Sequence, residues 1–418
     1  MEGIGSILID LFLIFSLAKV AGRLLTAIGQ PAIVGEVLAG ILIGPYALGW
    51  VGTPDDALIH WFGGDPKAAE QAVSLVLDTI AELGVIILLF FVGLETSVRE
   101  LLAVRGRATL VGILGIIFPF ALGFAFMEMT GRSNIESAFV ATTMIATSVG
   151  ITARVLGEIG ALGSREARII LGAAVIDDIL GLLVLAVVSG LDGGELNPLE
   201  LGLTALEAVV FVLFAALVGT RVIRRYSLKL EQVPVRHAPL LFALILMLGF
   251  SALAGLIGLA AIIGAFLAGL MLAEAKEKFQ LERQVQPIYE FLVPFFFVVT
   301  GAKVDVAAFT DMQVLTIAVG VTILAILGKF IGGSLASLGL PARSAAIIGV
   351  GMVPRGEVGL VVASLGISKG IISGDTFSVV VFMVLATTIL APLILVRLYD
   401  GYRYSAEASP MINHKPEH

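Results

Sequence analysis

The chain contains no cysteine. Disulfides, zinc–thiolate sites and iron–sulfur clusters are thereby excluded, and nothing marks the redox compartment. Charge is scarce: 14% of the 418 residues are Asp, Glu, Lys or Arg, against about a quarter in soluble domains. A formal net charge of −7 argues against nucleic acid as a partner. Histidine is nearly missing, and His60, His237, His414 and His418 all fall between or beyond the apolar runs. No histidine is therefore expected to carry protons at membrane depth. What is abundant is apolar: 58% of residues are hydrophobic, and mean hydropathy is +1.04. Too many segments reach the roughly 20 residues needed to span hydrocarbon for a cleaved leader to explain them. The composition predicts an all-α polytopic membrane protein.

Thirteen apolar runs are expected to be transmembrane helices: 5–24, 31–48, 73–95, 108–130, 136–158, 167–189, 201–224, 238–255, 258–275, 287–303, 312–336, 343–367 and 374–397. The split within 238–275 rests on Pro234, Pro239 and the Gly255–Gly258 stretch. An odd number of spans puts the termini on opposite sides. With the N-terminus outside, 20 of the 26 basic residues fall in the inner loops and tail. Only Lys67, Arg132, Lys303 and Lys369 fall outside, and Lys329 and Arg355 lie within spans. This one-sidedness predicts a cytoplasmic C-terminus.

A repeat is also visible. FFVGLETSV (90–98) ends the third run and FFFVVTGAKVDV (295–306) ends the tenth. Similar strings on helices of opposite direction mark inverted repeats, here spans 1–6 and 8–13 joined by the seventh. Secondary transporters are often built this way, with the site near the midplane where the repeats meet. No soluble domain is expected after the last span, only a disordered cytoplasmic tail over 399–418.

A charge at the centre of a spanning helix costs about 2.5–3.5 kcal/mol on insertion scales, so such residues are few and need partners. Here they are Asp177, Asp178, Lys329, Arg355 and Glu357, with Glu36 nearer an end. The two aspartates sit side by side in GAAVIDDILGLLVLAVV (172–188). Neighbours on a helix point roughly 100° apart. One aspartate can therefore face a neighbouring helix while the other faces a cavity. A single lysine neutralises a single aspartate, and a carboxylate taken out of water needs a proton or a metal cation to offset its charge. The pattern predicts a site where H⁺ and a small cation compete.

Two spans carry breakers at equivalent places. The fifth holds Thr147, Ser148, Gly150 and Thr152 in ATTMIATSVGITARVLGEIG (141–160). The twelfth holds Pro354 among Gly351, Gly356 and Gly359 in GVGMVPRGEVGLVVA (349–363). Broken helices expose carbonyls and dipole ends, and these with hydroxyl oxygens are hard ligands suited to Na⁺. Back-bonding of Thr147, Ser148 and Thr152 to their own helix is the equally open alternative. Arg355 and Glu357 are expected to scaffold the break rather than carry an ion. The glycines of GKFIGG are read as close helix packing.

Taken together, GQPAIVGEVLAGILIGP (29–45), LFFVGLE (89–95), ATSVGITARVL (146–156), VIDDILGL (175–182), PFFFVVTGAKVD (294–305), LGKFIGG (327–333) and MVPRGEVGLV (352–361) resemble the monovalent cation:proton antiporter-2 family. The resemblance implies thirteen helices with crossed breaks in the fifth and twelfth. Dimer-domain helices 1–3 and 8–10 would occupy 1–105 and 237–306, and core helices 4–6 and 11–13 would occupy 106–190 and 307–398. Helix 7 would connect them within 191–236. It further implies Asp178 as the principal ligand of the cation and proton and Asp177 as the partner of Lys329. Thr147 and Ser148 would lie beside the ion, and Arg355 and Glu357 would support the crossover. The adjacent Asp-Asp pair resembles the electrogenic branch. The implied activity is Na⁺/H⁺ antiport by a homodimer in the bacterial inner membrane, with Li⁺ as a further substrate and no cofactor. A K⁺/H⁺ antiporter of the same fold is the alternative. A channel would need a continuous polar stripe, and an aspartyl protease would need facing rather than adjacent acids.

Overall fold

The computed structural model describes residues 2–96, 98–190, 206–207, 209–219, 221, 237–257, 259–273, 279–304 and 310–400. The first half runs through α1 (Glu2–Ala27), α2 (Ala32–Ile43), α3 (Asp56–Trp61), α4 (Pro66–Glu95), α5 (Val98–Met129), α6 (Asn134–Thr143), α7 (Val149–Glu158) and α8 (Arg165–Gly190). The second half runs through α9 (Ala238–Leu256), α10 (Ala261–Leu272), α11 (Leu281–Ala302), α12 (Met312–Ala336), α13 (Ala342–Gly351), α14 (Glu357–Ser368) and α15 (Gly374–Tyr399). No strand occurs among the described residues. Six of these helices are each long and apolar enough to cross a membrane. The expected seventh run and the tail, 399–418, lie largely outside the described residues, apart from short helical pieces, a π-helical turn at Phe214–Gly219, and the end of α15. The expected split of 238–275 falls between Leu256 and Ala261. His60 belongs to the short helix α3 rather than to a loop.

Helix starts follow local chemistry. Asp65, Ser133, Asp311 and Ser373 each accept a backbone N–H in the first turn of α4, α6, α12 and α15. Each such cap contributes about 1 kcal/mol.

The helices pack in two groups. In one, α4 lies against α10 and α11, α2 against α1 and α11, and α9 against α10. In the other, α5 lies against α8 and α12, α12 against α13 and α15, and α6 against α14. Contact between the groups is lighter and includes α4 against α7 and α2 against α15.

Glycines set the tightest crossings. A Cβ on Gly93 of α4 would strike the Phe266 carbonyl of α10, and one on Gly269 would strike the Phe90 carbonyl. At the α2–α11 crossing, Gly40 abuts the Val298 carbonyl and Gly301 the Val37 carbonyl. Gly93 and Gly301 are the glycines of the two repeated strings. Small residues let spanning backbones approach where water supplies no hydrophobic drive between helices.

Candidate ion-binding site

Both expected interruptions are present. Residues 144–148 separate α6 from α7, and residues 352–356 separate α13 from α14. The two breaks touch: Ser148 N donates to the Pro354 carbonyl at 2.8 Å. Thr152 Oγ1 donates to the Gly351 carbonyl at 2.7 Å, and Thr147 Oγ1 to the Met352 carbonyl at 3.4 Å. These hydroxyls bond across to the opposite break instead of back-bonding within their own helix. Ser148 Oγ is buried without a hydrogen-bond partner, leaving a hard oxygen available at this point.

Arg355 is fully buried at the crossing. Its guanidinium donates to the carbonyls of Ala146 and Met352, both at 3.3 Å, and of Ala325 at 3.1 Å. Ala146 and Met352 follow the last turns of α6 and α13, where carbonyls lack helical partners and the dipole ends are negative. A delocalised cation with five donors suits several carbonyls at once. Thr387 and Thr388 of α15 fix its backbone, through Arg355 N at 3.2 Å and the Arg355 carbonyl at 2.8 Å. Glu357 opens α14, and its side chain lies outside the described residues.

Facing this crossing, α8 carries the acidic pair. Asp177 and Lys329 are both 0% exposed, and Lys329 Nζ donates to both carboxylate oxygens at 2.8 Å. The approach of α12 to α5 makes this contact possible. A Cβ on Gly332 would lie 2.6 Å from the Leu114 carbonyl, so only glycine lets the backbones meet there. Across the interface Gly115 leaves space beside the Lys329 ammonium, 3.4 Å from where a Cβ would stand.

Asp178 points elsewhere, as the angle between adjacent helical residues requires. It and Asp177 line a pocket of about 80 Å³ with Thr142, Ala146 and Gly181. Leu185, Leu259, Ala260, Val358 and Val362 also line this pocket and a cavity of about 550 Å³ that reaches Asp78, Glu82 and Lys303. Asp178 additionally borders a small pocket with Leu89, Val149, Leu171 and Val175.

The sequence reading missed a cluster at the far end of α7. Arg154 was counted as an inner-loop charge, but its side chain is only 11% exposed and lies against Glu158 at 2.7 Å and Glu36 at 3.6 Å. The i,i+4 spacing of Arg154 and Glu158 was the available signal.

Buried charge beside broken backbone in apolar helices is a device of membrane transporters rather than of enzymes or passive bundles. The chain is a multi-pass helical membrane protein of that class. It belongs to the family described as "Sodium/hydrogen exchanger, transmembrane", whose model matches residues 12–400. It is 37% identical to the high-affinity Na⁺/H⁺ antiporter NhaS3 of Synechocystis, covering 95% of this chain and 91% of that one. It is 34% identical to the Na⁺/H⁺-K⁺ antiporter GerN of Bacillus cereus, over 95% and 97% of the two chains. In fold it matches the sodium proton antiporter MjNhaP1 from Methanocaldococcus jannaschii with a TM-score of 0.64. That match covers 96% of this chain and 98% of the other at 18% identity.

Proposed function

We propose that the protein is a secondary active antiporter exchanging Na⁺, with Li⁺ as a further substrate, for protons across the bacterial cell membrane. The observation carrying this reading is the Asp177–Asp178 pair in the wall of a cavity beside two touching helix breaks, with Lys329 closed on Asp177. The relatives named as Na⁺/H⁺ antiporters support it. In this reading thirteen spans form two inverted repeats of six. The matching glycine crossings at Gly93 and Gly301 support the repeats. The helix group around α4 and α11 serves as the dimer domain of a homodimer, and the group around α5 and α12 is the mobile core. The N-terminus is outside and the C-terminus cytoplasmic, supported by the skew of basic residues.

Asp178 is the principal ligand of Na⁺ and H⁺, joined by Thr147 and Ser148. Asp177 holds Lys329 until a cation competes for the carboxylate. On the inner side Na⁺ enters as protons leave. The loaded core then shifts against the dimer domain, and outside H⁺ displaces Na⁺. An unloaded core with an exposed charge crosses poorly, because burying an unpaired charge is expensive. That penalty enforces exchange over leak. The adjacent Asp177–Asp178 pair, which resembles that of the electrogenic branch, supports more protons than cations per cycle, hence electrogenic exchange.

The test is reconstitution into vesicles, with internal pH followed while Na⁺, Li⁺ or K⁺ is applied at a set membrane potential. Na⁺ and Li⁺ are expected to move protons outpacing K⁺, and the rate to respond to potential. Proton movement driven by K⁺ alone would select the K⁺/H⁺ alternative, which the likeness to GerN, a Na⁺/H⁺-K⁺ antiporter, supports. Cation flux indifferent to proton gradients would select a channel.

A further inference from the structure

The pocket around Asp178 continues into the cavity at the Asp78–Lys303 end, so the opposite end of α7 is where the two helix groups close on each other. Three polar contacts cross between the groups there, and all end on α7. Arg154 Nη1 donates to the Tyr289 hydroxyl of α11 at 2.8 Å. Arg154 Nη2 lies 3.6 Å from Glu36 Oε1 of α2. Glu158 Oε2 accepts the backbone N–H of Ala32, the first residue of α2, at 3.0 Å, where a helix N-terminus favours an anion. Arg154 and Glu158 are themselves joined at 2.7 Å. The arginine also lies over the Tyr289 ring, 5.3 Å from its centroid. Glu36 is buried, and its Oε2 has no hydrogen-bond partner. Its charge is therefore balanced chiefly through Arg154, with Lys19 of α1 a weaker contributor and Glu158 opposing.

α7 is a helix of ten residues with Ser148 as its N-cap. Its near end belongs to the ion site and its far end to this cluster. Any displacement of the core group that opens the cluster's side must pull Arg154 from Tyr289 and Glu36, and Glu158 from Ala32. We propose that Arg154, Glu158, Glu36 and Tyr289 form the inner latch of the transport cycle, closed when the site faces the Asp78–Lys303 side. This rests on the alternating exchange proposed above. The latch residues set how often the site opens inward, while the carboxylates of α8 set what is exchanged.

The absence of cysteine allows a direct test. Val175→Cys places a reporter in the small pocket beside Asp178, on the latch side of α8. Val381→Cys places one in the large cavity. Each is introduced singly and labelled in membrane vesicles with a membrane-impermeant thiol reagent, Val175→Cys from the cytoplasmic face and Val381→Cys from the outer face. Tyr289→Phe, which removes one hydroxyl, is expected to raise Val175→Cys labelling about tenfold, the worth of one hydrogen bond to a charged group, and Glu36→Gln, which discharges the 3.6 Å ion contact, is expected to raise it as well. Val381→Cys labelling should stay level or fall. Unchanged Val175→Cys labelling in both variants overturns the latch, and so does a parallel rise at both reporters, which would mean a loosened fold. Na⁺-driven proton movement is measured in the parent protein alongside. Its absence would reject the antiport reading itself, separately from the latch.

Discussion

At the scale of single residues, the Asp177–Lys329 pair is the interaction with most at stake. Both groups are removed from water, and each is the other's direct hydrogen-bond partner. Breaking such a pair by removing one member strands a buried charge and typically costs about 3–5 kcal/mol, whereas replacing both members is far milder. Lys329→Ala is therefore expected to lower thermal stability sharply at neutral pH, by a loss on the order of 3 kcal/mol. Adding Asp177→Asn should return most of it. Melting curves in detergent at neutral pH, for the single and double variants, check both statements. That one lysine would neutralise one of two adjacent acids was readable from the residues; that the acid is Asp177 was implied only by the family resemblance. The burial of Arg154 was not readable, because its position near a span end fits a solvated inner charge equally well. Only the fold shows Tyr289 and Glu36, from distant segments, arriving beside it.

At the scale of elements, the two breaks hold each other. Thr152 of α7 gives its hydroxyl to Gly351 at the end of α13, and Arg355 gathers one carbonyl from each break and a third from α12. Thr152→Val keeps the shape but leaves the Gly351 carbonyl without this donor, which should cost about 1–3 kcal/mol and slow exchange by displacing the Ser148 end of α7. Thermal melts and transport rates on the same preparation would register both. Gly301→Ala tests the other kind of contact. Its Cβ would meet the Val37 carbonyl of α2, and overpacking of that sort costs about 1–3 kcal/mol. A melting temperature equal to the parent's would show that α2 and α11 are not as tightly apposed as described. The positions of the breaks were legible, since Pro354 and the surrounding glycines cannot sustain a helix and a run of Thr and Ser interrupts its counterpart. The partners of their hydroxyls were not legible, because a Thr in a helix bonds its own turn by default and only the opposed break supplies a competing carbonyl.

At the scale of the whole molecule, hydropathy located nearly every described helix, because an apolar run must satisfy its own backbone in lipid and can do so only as a helix. The grouping of helices is a different matter. It depends on which glycines meet which carbonyls; the residues alone offered the likeness of two strings around Gly93 and Gly301, and the division into helices 1–3 with 8–10 and 4–6 with 11–13 came from the family resemblance. The cavity beside the acidic pair and the closed end at Arg154 appear only once both groups are assembled. Competition between Na⁺ and H⁺ for one carboxylate then predicts how the whole protein behaves with pH. While protons dominate the site, apparent Na⁺ affinity should improve by up to about tenfold per unit rise in pH. Initial exchange rates at several Na⁺ concentrations and pH values measure this, and an affinity independent of pH would mean that the two ions bind apart.

The account stands or falls on Asp178 as the shared seat of cation and proton. The most direct measurement is ²²Na⁺ uptake into vesicles driven by an imposed pH gradient, comparing the parent protein with Asp178→Asn at equal reconstituted amounts. The parent should accumulate the ion, and the variant should fall to the level of protein-free vesicles while still eluting as a folded species. Gradient-driven uptake that survives in Asp178→Asn would contradict the account.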